Sequence, residues 1–144
     1  MAQPVVIDTD ILIDFGLDKE DAVESMSMLE ENFELTISVI TAMELYSGSR
    51  SKRDIKKEEE LIADLRIQVV LKSISERAYE QMKKFRSSHR VEINDMPITA
   101  TAIETEAKMI SKNQKHYQFL PGYVFALLIS LQLYYWTNSI HLCS

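Results

Sequence analysis

The sequence predicts an α/β domain, a three-layer α/β/α sandwich around a central, mostly parallel sheet of four to five strands. Two observations carry that expectation. Short, wholly apolar, β-branched runs recur along the chain, beginning with Val5-Val6-Ile7, and strands apolar on both faces belong in parallel sheets covered by helices. Segments with helical spacing separate these runs, and such alternation implies parallel strands joined by right-handed crossovers.

The first run ends abruptly in Asp8-Thr9-Asp10, and Ile11-Leu12-Ile13-Asp14 then starts a helix. Open α/β sheets bind ligands outside the carboxyl ends of their strands, where Asp8 sits. Asp8 or Asp10 as no more than a cap for the following helix is an equally good reading of this stretch alone. Over residues 18–32, Ala22, Val23, Met26 and Leu29, with Phe33 just beyond, recur at helical spacing among acidic residues, the pattern of an amphipathic surface helix. Residues 35–40 form the second strand, and Thr41-Ala42-Met43-Glu44-Leu45-Tyr46 follows with helical character, so Glu44 too stands just beyond a strand.

Gly48-Ser49-Arg50-Ser51 breaks that helix, and residues 54–65 resume one with Ile55, Leu61, Ile62 and Leu65 on its apolar side. Ile67-Gln68-Val69-Val70-Leu71 reads as a third strand. The capping-box pattern Ser73-x-x-Glu76 opens a helix to about Ser88, with Ala78, Met82 and Phe85 as core positions. Around Asn94-Asp95-Met96-Pro97 a further helix begins, because proline is tolerated only in a first turn and acidic residues favour that end. Its small side chains, from Thr99 to Ala102, let it lie close to the sheet. Met109-Ile110-Ser111 is the fourth strand and Tyr123-Val124-Phe125 the fifth.

A chain of 144 residues holds one ordinary domain, and 46% apolar with 26% charged residues is the composition of a soluble globular protein. Three Gly and three Pro leave little room for linkers. The sequence divides into a domain over residues 1–125 and an apolar tail over 126–144, part of the same domain or an extension of it. Residues 123–136 run almost without interruption as apolar side chains, but these fourteen fall short of the roughly 20 a membrane helix needs, so a buried strand, a dimer contact or a partner-covered segment is expected. The single cysteine, Cys143, cannot form an internal disulfide, and the N-terminus lacks the pattern of a signal peptide, so a reducing cytoplasm is the expected location. A net charge of −6 argues against a passive basic nucleic-acid binder but not against an enzyme that holds cations through carboxylates.

Asp8, Glu44 and Asp95 each fall where a strand gives way to a helix or where a helix begins. If their strands are neighbours the three converge, and converging carboxylates call for a hard divalent cation such as Mg²⁺ or Mn²⁺. Asp8-Thr9-Asp10 after an apolar strand also resembles the nucleophile motif of haloacid-dehalogenase-like phosphatases. That family expects Thr or Val where this chain has Leu12 and a later paired-Asp motif that this chain lacks. No glycine-rich phosphate loop is present.

Four blocks in order resemble a PIN domain, specifically a toxin of the virulence-associated-protein C type, over residues 5–125. They are residues 6–14 (VIDTDILID), residues 38–48 (SVITAMELYSG), residues 94–103 (NDMPITATAI), and residues 111–117 (SKNQKHY) with Leu120-Pro121-Gly122. The resemblance implies a metal-dependent endoribonuclease with Asp8, Glu44 and Asp95 as ligands of Mg²⁺ or Mn²⁺ and Thr9 and Asn113 as polar helpers. It also implies a homodimer and a cognate antitoxin. Many members carry a further Asp where this chain has His116, so the second metal position differs here. A catalytically silent PIN-like binding module is the remaining alternative.

Nine of the 16 Lys and Arg lie in two runs, Arg50, Lys52, Arg53, Lys56, Lys57 and Lys83, Lys84, Arg86, Arg90, each a few positions from a proposed site residue. They suit contacts to RNA phosphates, although either run alone reads first as a solvated helix face. His89 and His116 lack the second His or Cys that a zinc spacing requires.

Overall fold

The computed structural model describes residues 2–126. Its elements run β1 (Gln3–Ile7), α1 (Thr9–Gly16), α2 (Glu20–Asn32), β2 (Phe33–Ser38), α3 (Val39–Ser47), α4 (Lys52–Ile62), β3 (Arg66–Gln68), α5 (Lys72–His89), α6 (Asp95–Glu104), β4 (Lys108–Ile110) and β5 (Phe125–Ala126). All strands pair in parallel, in the order β3-β2-β1-β4-β5. The predicted fold class is therefore what the chain adopts.

Alternation along β1 explains the layers. Val5 and Ile7 join an apolar cluster with Ile11, Leu12, Met26, Leu29, Ile37, Leu45 and Ile62, whereas Val6 joins Val91, Met96, Ile98 and Ala102 on the opposite face. Successive strand residues point to opposite faces, so α1, α2, α3 and α4 supply the first cluster and α5 and α6 the second. In β4 the same alternation sends Ile110 to one side and Met109 to the other. The small face of α6 is buried as expected, from Ile98 through Ala102.

Several boundaries differ from expectation for local reasons. Helix α5 starts at Lys72 with Leu71 before it and no side-chain cap, so Ser73 lies inside the first turn and the capping box does not form. Its buried positions are Ile74 and Gln81, while Ala78, Met82 and Phe85 are half-buried against the second cluster. Ser51 caps α4 with its side chain, accepting from Asp54 N at 3.1 Å, and α4 accordingly begins two residues earlier than its apolar spacing suggests. Val23 and Ile55 are exposed. The third strand is only three residues long, and Ile67, Val69 and Leu71 remain exposed at the sheet edge. Gly122 has a φ of +83°, and a Cβ there would meet Ile103 at 3.0 Å, which fixes glycine at the turn before β5. Among the described residues no helix is long and apolar enough to cross a membrane. The predicted tail, residues 126–144, lies almost wholly outside the described residues.

Candidate metal and nucleic-acid site

The chain runs from β1 outward through β2 to β3, then returns to the other side of β1 for β4. The connections leaving β1 and β4 therefore part company at their carboxyl ends, which opens the crevice where α/β sheets bind ligands. Asp8 follows β1 directly and Ser111 follows β4. Because Ile7 pairs with Ile110 and Asp8 N–H donates to Ile110 O at 2.9 Å, these two polar residues are brought side by side.

Asp8 is buried, with 3% of its surface exposed. Its Oδ1 accepts from Thr9 N at 2.8 Å, which makes it the cap of α1, and its Oδ2 accepts from Ser111 Oγ at 2.7 Å. The capping reading is thus observed, and the same carboxylate stands at the carboxyl end of β1, where the sequence places a candidate site residue. Burial pushes its carboxyl up from the ordinary value, the Glu44 charge adds to this, and the two hydrogen bonds oppose it. Both oxygens of this buried carboxylate are therefore held in place by hydrogen bonds.

Thr9 Oγ1 donates to Glu44 Oε1 at 2.8 Å and lies 3.1 Å from Thr41 Oγ1, so the first turn of α1 positions the carboxylate on α3. Asp95 opens α6, and the Tyr117 hydroxyl donates to it. Burial first, then the charges of Asp8 and Glu44, push the Asp95 carboxyl up to about 6. Asp8, Glu44 and Asp95 thus feel one another electrostatically. Among the described residues, however, no three His, Cys, Asp or Glu side chains are already drawn together as a metal cage.

Sequence reading missed three contributors. Asp10 Oδ2 accepts from Lys112 N at 3.1 Å, while its Oδ1 is buried without a hydrogen-bond partner. Burial and the Asp8 charge push its carboxyl up to about 7. Ser111 and Tyr117 are the others, both buried and each on a carboxylate. A polar residue closing an apolar strand was the available signal for Ser111, whereas nothing local marks Tyr117. Asn113, expected as a helper, is exposed, and its backbone N–H donates to Ser111 Oγ at 3.0 Å. His116 is exposed at the end of a 3₁₀ turn, Gln114–His116.

All nine basic residues of the two runs are exposed. Arg50, Lys52, Arg53, Lys56 and Lys57 lie before and along α4, which follows the helix of Glu44. Lys83, Lys84, Arg86 and Arg90 crowd the end of α5, which precedes Asp95. Arg86 is partly committed, since it donates to Val91 O at 2.6 Å and lies 4.0 Å from Glu92.

Residues 5–119 match the PIN domain family, and the chain belongs to it. Ribonuclease VapC10 of Mycobacterium tuberculosis is 28% identical over 116 residues, covering 78% of this chain and 85% of that protein. Among solved structures, VapBC2 from Rickettsia felis bound to a promoter DNA fragment superposes with a TM-score of 0.75 at 20% identity, covering 85% of this chain and 97% of its own. A toxin–antitoxin complex from Klebsiella pneumoniae gives 0.66 at 26% identity, covering 83% and 95%. DNA-bound VapBC from Salmonella typhimurium gives 0.72 at 20% identity, covering 87% and 97%. The resemblance read from the four blocks is borne out as membership of the PIN family with distant homology to VapC ribonucleases.

Proposed function

We propose that this chain is a divalent-metal-dependent endoribonuclease and the toxin of a toxin–antitoxin pair. The observation that carries the reading is the set of carboxylates around the carboxyl ends of β1 and β4 in a PIN fold. Their chemistry fits Mg²⁺ or Mn²⁺: all donors are hard oxygens, the carboxyls of Asp8, Asp10 and Asp95 are raised by burial and mutual repulsion, and Asp10 Oδ1 is buried with no partner. Asp8 and Asp95 hold the cation, Glu44 completes or orients the site, and Asp10 offers a further oxygen. When bound, such an ion supplies an activated water for in-line attack on a phosphodiester and offsets charge on the phosphate oxygens.

The protein's own residues prepare that chemistry. Ser111 and Thr9 N–H fix Asp8, Thr9 Oγ1 fixes Glu44, and Tyr117 fixes Asp95. The exposed lysines and arginines of the two runs contact backbone phosphates and give affinity without reading sequence. A cognate antitoxin and a homodimer belong to the same reading, supported by structural neighbours that are toxin–antitoxin complexes. The proposed place of action is the cytoplasm.

Incubation of the purified chain with single-stranded RNA and with p-nitrophenyl phosphate, each with Mn²⁺ or EDTA, tests the proposal. Cleavage of RNA alone, only with Mn²⁺, is expected. Hydrolysis of the small ester would favour a phosphatase, and no cleavage of either would favour a silent binding module.

A further inference from the structure

Where α5 ends, three aromatic rings are assembled at the surface. His89 stacks on Phe119 with centroids 3.9 Å apart and planes inclined by 19°. Phe85 meets both rings edge-on, at 4.9 Å from Phe119 and 5.6 Å from His89. Ser88 Oγ lies 2.6 Å from His89 Nδ1, a hydrogen bond that holds the imidazole plane. Phe85 and Phe119 are half-buried against the cluster of Val91, Met96 and Tyr117, whereas His89 is exposed. One face of the imidazole is thus covered by Phe119, while the residue as a whole is exposed to solvent.

This ledge is joined to the carboxylate site by two short stretches of chain. Phe119 is two residues beyond Tyr117, whose hydroxyl donates to Asp95. Val91, which accepts from Arg86, is four residues before Asp95. The exposed cations Lys83, Lys84 and Arg90 lie close in sequence to the rings, and Lys84 Nζ lies 5.3 Å from the Phe85 centroid. An ordered, flat, open ring among cations complements a partner that is both polyanionic and rich in flat faces, which is single-stranded nucleic acid.

We propose that His89, backed by Phe119 and Phe85, is a base-stacking platform that seats a nucleotide of single-stranded RNA beside the carboxylate site. Lys83, Lys84 and Arg90 hold the adjoining phosphates. This rests on the ribonuclease reading and adds a residue that positions substrate by stacking rather than by charge.

The test is the binding of a fluorescein-labelled single-stranded RNA in EDTA, where the chain is not expected to cleave it, followed by anisotropy over a range of salt. Base stacking on an aromatic ring contributes enough that His89→Ala should weaken binding about tenfold with an unchanged slope against log salt. His89→Phe, which keeps a flat ring, should bind within about twofold of the parent. Lys83→Gln with Lys84→Gln should instead lower the slope. If His89→Ala binds like the parent, or His89→Phe is as weak as His89→Ala, the platform is refuted while the ribonuclease reading stands. If the parent chain binds no RNA in EDTA, the platform is refuted, and only absent RNA cleavage with Mn²⁺ refutes the ribonuclease reading.

Discussion

Thr9 on α1 donates a 2.8 Å hydrogen bond to Glu44 on α3, across 35 residues of chain. A hydroxyl that links the first turn of α1 to the body of α3 sets the position of a carboxylate which its own helix leaves free to rotate. Thr9→Val keeps the shape and removes the donor. Hydrogen bonds to charged groups contribute roughly 1.5–3 kcal/mol when dry and less where water reaches them, so a stability loss of about 1 kcal/mol is expected. RNA cleavage should fall about tenfold, because a misplaced catalytic group costs more in rate than in stability. Urea unfolding and initial rates check both, and an unchanged rate would remove Thr9 from the site.

Asp10 and Asp95 titrate at about 7 and about 6 in the folded chain, above the ordinary value of 3.8, chiefly because burial disfavours their charge. Between about pH 4 and pH 7 the folded state keeps protons that the unfolded state has released, so stability falls as pH rises through that window and levels above it. The Tm of the protein in EDTA should be higher at about pH 5 than at about pH 8. Metal ligation needs deprotonated carboxylates, so the rise in Tm on adding Mn²⁺ should grow over the same range. Asp10→Asn, which can still accept from Lys112 N, should flatten the EDTA profile and weaken Mn²⁺ binding several-fold. A pH-independent Tm would contradict the burial argument.

Much of the candidate site was legible in the sequence because two of its carboxylates stand just beyond apolar strands and the third begins a helix. Asp8 ends β1, Glu44 follows β2 on α3, and Asp95 opens α6 beside a proline. What could not be read depends on pairing across the chain. Ser111 reaches Asp8 only because β4 lies beside β1, a neighbour relation set 103 residues away. Tyr117 reaches Asp95 through a 3₁₀ turn that no periodicity announces. The failed capping box at Ser73 shows the opposite error, a local pattern overridden when tertiary packing of Ile74 and Gln81 starts the helix two residues earlier.

Neutralising Lys52, Arg53, Lys56 and Lys57 together should weaken RNA binding and reduce its salt dependence, as the loss of phosphate contacts requires. All four are exposed, so the fold should be unaffected. An unchanged salt slope would mark α4 as only a solvated helix face.

The family resemblance implies an Asp in many members where this chain has His116, which is exposed a few residues beyond Ser111 and Lys112, the partners of Asp8 and Asp10. A neutral imidazole is a poorer ligand for Mg²⁺ than a carboxylate, while Mn²⁺ accepts nitrogen more readily. Mn²⁺ should therefore support cleavage better than Mg²⁺. His116→Asp should lower the concentration of Mg²⁺ needed for half-maximal cleavage. A concentration that stays level or rises would show that His116 does not face the ion.

The most direct test of the central claim is the cleavage of a single-stranded RNA in Mn²⁺ by the parent chain, Asp8→Asn and Asp95→Asn, each with its Tm in EDTA. Either substitution removes a buried negative charge while keeping the side-chain shape, so cleavage should be abolished and Tm should stay level or rise. Full cleavage by either variant, with the fold intact, would contradict the assignment of these carboxylates to the active site.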